Sequence, residues 1–166
     1  MSKTASEILM IRPASFGFNA ETAANNVFQT APETLTQQQV QQKAVEEFDN
    51  FIDTLRKKKI EVIVVQDTAK PPKPDAIFPN NWFCTLSDGS VCVFPMYAAN
   101  RRIEKRDDLL QMLTEKFKVR DVEDWSEYEA EHLFLEGTGS MIIDHAYKII
   151  YACISPRTNK TVLEKF

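Results

Sequence analysis

Glu136 follows an apolar run, Leu133-Phe134-Leu135, and is followed by Gly137 and Gly139. Glycine permits backbone conformations and close approaches that a Cβ forbids. Two β-rich runs come next, residues 141–143 and 149–154, joined by Asp144-His145-Ala146-Tyr147, and they read as a buried hairpin. The hairpin ends on Arg157, followed by Thr158 and Asn159, both good helix N-caps. A carboxylate at one end of a hairpin and a guanidinium at the other can project into one pocket. The same residues also fit a core hairpin carrying two solvated charges, the usual fate of Glu and Arg.

A second polar cluster lies upstream. Asp75, Asn80 and Asn81 are set among Ile77, Phe78, Trp82 and Phe83. Amides and carboxylates amid aromatics must find partners or they destabilise the fold. In an enzyme they would aim at a polar substrate; otherwise Asn80 and Asn81 form an Asx-type turn. Residues 83–86 and 91–94 make a hairpin around Asp88-Gly89, a strong turn signal, and Asn100-Arg101-Arg102 follow. Polar cluster, hairpin, arginine and helix thus occur twice. Arg101 and Arg157 are separated by 56 residues, as are the turn residues Asp88 and Asp144. Repeats of one supersecondary unit bury their faces only against neighbours. The second copy ends after a short helix opened by Thr158-Asn159-Lys160, with Leu163 and Phe166 on its core face. Helices that short are marginal without packing, so the sequence is expected to be a piece of something larger.

The elements that must position these groups follow from periodicity. Residues 8–11 read as a buried first strand and 60–65 as a second. Between them Val40, Ala44, Val45, Phe48, Phe51, Ile52 and Leu55 recur at helical steps, which predicts a helix over 35–58 with a capping box opening at Thr34. Residues 56–59 place four positive charges at its C-terminal end, where they suit the helix dipole. Residues 14–33 form a long loop in which Phe16, Phe18 and Phe28 predict packing, over a site in one reading. Pro71-Pro72-Lys73-Pro74 forces a stiff, extended connection. Ile103, Leu109, Leu110, Leu113 and Phe117 predict a second helix over 102–118. Helix followed at once by strand implies an α/β layer.

Composition narrows the classes. The chain has 166 residues, 43% hydrophobic and 27% charged, ordinary values for one soluble domain, here read as a single partial domain over 1–166. A net charge of −4 offers no electrostatic case for nucleic acid or an anionic membrane. No apolar run approaches a membrane span, and the N-terminus lacks the apolar core of a signal peptide. Cys84, Cys92 and Cys153 lie in apolar runs without metal or disulfide spacing, and read as small core residues in a reducing cytoplasm. No metal or cofactor is expected.

Four blocks, in this order, carry a resemblance: D-x-x-F-P-N-N-W-F at 75–83, Arg101-Arg102-x-Glu104, E-G-T-G-S at 136–140 and Arg157-Thr158-Asn159. Together they resemble the guanidino-group-modifying superfamily of arginine deiminases, dimethylarginine dimethylaminohydrolases and amidinotransferases. They look most like its amidinotransferase-like, citrulline-utilisation hydrolase branch. The resemblance covers nearly the whole chain but about the first half of a typical member. It implies a partial, pentein-like α/β propeller of ββαβ modules. It also implies a cysteine nucleophile attacking a guanidinium carbon, a histidine acid/base, and an acidic residue that orients the histidine. By resemblance Glu136 is that acidic residue, and Arg157 clamps a substrate α-carboxylate with Arg101 or Arg102 as a second clamp. Asp75, Phe78 and Asn81 would meet the substrate's other end.

Two departures matter. Asn81 stands where relatives commonly carry Asp, which tilts the choice towards ureido compounds or leaves the cationic role to Asp75. The family's histidine and cysteine follow the Arg-Thr-Asn motif, whereas His132 and His145 precede it and no cysteine matches the nucleophile. The sequence alone therefore leaves three readings: an inactive N-terminal part of such an enzyme, a naturally short binding domain of the same fold, and an unrelated α/β binding module. An apolar face left for further modules would favour self-association.

Overall fold

Thr36 opens the longest helix by reciprocal capping. Its Oγ1 accepts from the Gln39 amide at 3.3 Å, and Gln39 Oε1 accepts from the Thr36 amide at 2.8 Å. The box therefore opens two residues later than the expected Thr34, and the helix runs Gln37–Lys57. The computed structural model describes residues 7–26, 28–31 and 33–166, in two units, 1–78 and 79–166.

In the first unit, β1 (Glu7–Arg12) leads through the short helix α1 (Ala20–Ala23) to α2 (Gln37–Lys57) and β2 (Glu61–Gln66). β1 and β2 pair in parallel with Ile8 opposite Val62 and Ile11 opposite Val65. α2 stops because Lys59 turns left-handed (φ 63°) and the Ile60 amide reaches back to the Leu55 carbonyl at 3.1 Å, satisfying a terminal acceptor. β1 was expected to be fully buried, but Ile11 is its buried residue and Ile8 is exposed. Within this unit α2 packs on a two-stranded sheet, which leaves strand area uncovered. Arg12 ties β1 to α2 through two 2.8 Å bonds to the Asp49 carboxylate.

The expected packing of the loop phenylalanines is corrected. Phe16 is half-buried, Phe18 is exposed and Phe28 is 93% exposed. What organises this loop is polar: Asn19 caps α1, its Oδ1 accepting from the Glu21 amide at 3.2 Å. In the proline-rich connection Lys73 is buried beside Asp67 at 3.1 Å and donates to the Thr68 carbonyl at 2.9 Å.

The second unit begins with a 3₁₀ turn, Pro79–Asn81, followed by β3 (Phe83–Thr85) and β4 (Ser90–Val93). Helices α3 (Ala99–Arg102) and α4 (Asp107–Phe117) lead to β5 (Asp121–Asp124). β4 is central, antiparallel to β3 and parallel to β5, so this stretch is one complete ββαβ module. Every residue of β4 is buried and every residue of β5 is exposed. The three carboxylates of β5 sit on an edge strand, where charge opposes further pairing. The single helix expected over 102–118 is two helices. Glu104 folds back on Arg101, Arg106 is extended as the cap of α4, and Ile103 is exposed rather than on the core face.

A second 3₁₀ turn, Ser126–Glu129, precedes α5 (Gly137–Ser140), β6 (Met141–Asp144), β7 (Ile149–Ala152) and α6 (Lys160–Lys165). Cys92, Phe94, Tyr128, Leu135, Met141 and Val162 form the core here, with Phe166 packed edge-on to Phe94 at 5.3 Å. β6 and β7 pair antiparallel, but the expected burial of this hairpin does not hold. Ile142, Ile149, Ile150, Tyr151 and Ile154 are exposed, and so is Cys153. Cys92 is buried and Cys84 half-buried, as core residues should be. Asp88 and Asp144 do the same work in both turns, accepting from Ser90 at 2.9 Å and from Ala146 at 2.9 Å.

Candidate active site

The Glu136 side chain is held from two directions. Oε1 accepts from the Tyr97 amide at 3.0 Å, and Oε2 lies 3.3 Å from Arg157 Nη1. The residue is 1% exposed, whereas the Arg157 side chain keeps some access to solvent. Backbone bonds fix the pair. The Glu136 amide donates to the Arg157 carbonyl at 3.2 Å, and Ser140 Oγ donates to the same carbonyl at 2.9 Å while accepting from the Glu136 amide. The Asn159 amide closes the crossing onto the Phe134 carbonyl at 2.6 Å, and Asn159 Oδ1 caps α6. Ser140, quoted in the motif without a role, is thus the residue that stitches the carboxylate segment to the arginine segment.

Both glycines are explained by Asn80 and Asn81. Gly137 has φ 40°, and a Cβ there would collide with the Asn80 carbonyl and lie 3.0 Å from the Phe94 ring. A Cβ on Gly139 would collide with the Asn81 amide group. The E-G-T-G-S turn therefore lies directly on the asparagine pair.

Asn81 connects to the first arginine. Its Oδ1 accepts from Arg101 Nη1 at 2.9 Å, and the same guanidinium makes a two-pronged pair with Glu104 at 2.9 and 2.8 Å. Arg101 is 2% exposed. Arg102 points elsewhere, to the Met96 carbonyl at 3.1 Å, to Glu129 at 3.6 Å and over the Phe134 ring. Each arginine that follows a hairpin thus returns to the polar residue that precedes it: Arg101 to Asn81, Arg157 to Glu136. The second unit brings Glu136, Arg157, Asn81 and Arg101 into one neighbourhood. Glu104 was legible only as the last letter of its motif, and it lies in the turn after α3.

Asp75 and Phe78 belong to the first unit. Asp75 is buried, accepting from Asn19 Nδ2 at 2.7 Å and from Thr22 Oγ1 at 3.3 Å. Phe78 is exposed. Both line a cavity of about 820 Å³ together with Phe16, Phe18, Phe28 and Phe48. The polar partners of Asp75 lay unrecognised in the long loop, where Asn19-x-x-Thr22 carries a capping signal. His132 and His145 are exposed and lie outside the bonds described above. Among the described residues, no cluster of His, Cys, Asp or Glu could hold a metal ion.

Solved structures share this architecture. The N-terminal domain of ArgZ bound to substrate, an arginine dihydrolase from the ornithine–ammonia cycle in Cyanobacteria, aligns with a TM-score of 0.65 at 20% identity, over 96% of this chain and 52% of that one. A dimethylarginine dimethylaminohydrolase adduct with S-methyl-L-thiocitrulline aligns with a TM-score of 0.63 at 15% identity, over 98% and 55%. The ternary complex of AgrE with ornithine and NAD+ gives 0.63 at 18% identity, over 93% and 20%. This chain therefore spans about half the length of the first two. The fold is a partial α/β propeller of the kind used by guanidino-group-modifying enzymes. The chain belongs to the family described as N,N dimethylarginine dimethylhydrolase, eukaryotic, whose model matches residues 12–166. The comparison with curated proteins found no match.

Proposed function

We propose that this chain supplies the substrate-holding half of an enzyme that hydrolyses or transfers guanidino or ureido groups of arginine- or citrulline-like amino acids. The observation that carries this is the Glu136–Arg157 pair packed on the Asn81–Arg101–Glu104 chain. A carboxylate with one oxygen on a backbone amide and the other on a guanidinium is fixed in rotamer. Such a group can hold and polarise an imidazole brought against it. Arg157, still reachable from solvent, is the clamp for a carboxylate, with the bidentate geometry an arginine fork provides. Arg101, satisfied by Glu104, orients Asn81. Asp75 and Phe78 are assigned to substrate binding through the aromatic-lined cavity of the first unit.

Attack on a guanidinium carbon requires a thiolate, activated by a nearby cation or helix N-terminus. Cys92 is buried, Cys84 faces it across β3 and β4, and Cys153 follows β7 on the exposed hairpin, so none of the three belongs to the Glu136–Arg157 bonds described above. The nucleophile and the acid/base histidine are therefore assigned to polypeptide outside these residues, and the chain is inactive alone. Residues 1–166 act as one partial domain. The exposed hairpin face supports contact with further modules or a second copy. Free thiols and a net charge of −4 support a cytoplasmic setting without nucleic acid or membrane partners; among the described residues no helix is long and apolar enough to cross a membrane.

A second reading is a binding domain without catalysis, favoured by how fully Glu136 is engaged within the chain. One assay separates them. Purified chain is incubated with arginine, methylated arginines or citrulline, while ammonia, methylamine and ureido products are read. The expected result is no turnover alone and turnover on adding the C-terminal half of a relative. Turnover by the chain alone that is lost in Glu136→Ala would overturn the half-enzyme reading, and binding with no rescue would favour the second.

A further inference from the structure

Cys84 and Cys92 stand directly opposite one another across β3 and β4. In the flanking pairs the Leu86 amide donates to the Ser90 carbonyl at 2.9 Å and the Phe94 amide to the Trp82 carbonyl at 2.8 Å. Cys84 and Cys92 therefore occupy a hydrogen-bonded site, where Cα atoms are about 5.5 Å apart. That separation lies in the range a disulfide spans, roughly 4.4–6.8 Å, and closing the bond draws the Cβ atoms in from roughly 5 Å to about 4 Å. Side chains directly opposite share a face, and here both sulfurs face the core of the second unit beside Phe94. We propose that Cys84 and Cys92 are an oxidisable dithiol site, converted by a hydroperoxide into a cross-strand disulfide that staples β3 to β4.

The two thiols differ in the way such a reaction needs. Cys84 is half-buried, and its hydrogen bond with Cys92 holds its thiol below the usual range. The same bond and burial push Cys92 up, and Cys92 is wholly buried. Peroxide therefore meets Cys84 first. The Cys84 thiolate attacks one peroxide oxygen, the O–O bond breaks, and the departing hydroxide takes up a proton as water. The Cys92 sulfur then attacks the Cys84 sulfenic acid. The S–O bond breaks, and the hydroxyl leaves with the Cys92 proton as a second water. Two thiols lose two electrons, and one peroxide becomes two waters. The staple joins the strand leaving Asn81 to the strand leading towards Tyr97, whose amide holds Glu136.

The test uses the full chain, with hydrogen peroxide as the probe and unfolding before alkylation. Expected is the loss of two alkylatable thiols, a cross-linked peptide pair containing Cys84 and Cys92, and Cys153 still alkylated. In Cys92→Ser, Cys84 should instead accumulate as a sulfenic acid trapped by dimedone. Full alkylation of both cysteines after peroxide, or Cys84 advancing to sulfinic acid beside an intact Cys92 thiol, overturns the proposal. So does a cross-link of either cysteine to Cys153.

Discussion

Gly137 has no room for a methyl group and sits at a positive φ that side chains rarely adopt. Gly137→Ala should therefore cost about 2 kcal/mol or more through strain and forced displacement of the Asn80 carbonyl. Chemical denaturation should show the midpoint falling without a change of slope. The Glu136–Arg157 pair behaves differently. Removing the carboxylate in Glu136→Ala orphans the Tyr97 amide and takes one partner from the Arg157 guanidinium, a loss of roughly 2 kcal/mol. Glu136→Gln keeps an acceptor for the Tyr97 amide and should lose less. Equal losses in the two variants would show that the ion pair, not the backbone bond, dominates. At this scale the sequence was informative where chemistry is local, as with a carboxylate beside glycines and an arginine after a hairpin. It could not reveal that Arg101 is held by Glu104 and Asn81, because burial of a guanidinium depends on which segments cross it.

Among the elements, α2 shows how a boundary is chosen. Thr34 and Thr36 each have a glutamine three residues on, so the sequence offers two boxes. The one at Thr36 is used, with Gln39 returning its bond. Thr36→Ala should cost about 1 kcal/mol, whereas Thr34→Ala should leave thermal stability unchanged within error; matched melting curves decide. Helix existence was legible from periodicity in 37–57 and 107–117. The break between α3 and α4 was not, because Ile103 fits the apolar spacing while the Arg101–Glu104 pair closes the turn. The β6–β7 hairpin misled for a related reason. Its residues have the composition of a buried hairpin, and composition reports what a segment can bury against, not whether a partner is present.

At the scale of the whole molecule, charge and apolar surface set the behaviour in solution. Asp49, Asp88 and Asp108 are all held below the ordinary carboxylate range: Asp49 by Arg12, Asp88 by the Ser90 amide, Asp108 by Arg106. Groups with depressed values contribute stability that is present above the unfolded carboxylate pKa, about 3.9, and is lost as pH falls through their folded values. Stability should thus be flat from neutral pH down to about 5 and decline below about 4. The apolar hairpin sets association. Ile142 is 71% exposed and Tyr151 57% exposed, and they are directly opposite across β6 and β7, so they form one continuous patch. Exposed patches of this kind pair with a partner or with themselves. Purified chain should self-associate at high concentration in sedimentation velocity. Ile142→Glu with Tyr151→Lys places opposite charges across the strands, a pair that keeps the hairpin together. Because both side chains are exposed, folding stability should change by no more than about 0.5 kcal/mol. The variant should then sediment as a monomer with an unchanged melting curve. Association that persists in it would place the contact on another surface, and a collapsed melt would mean that the hairpin is packed within the chain after all.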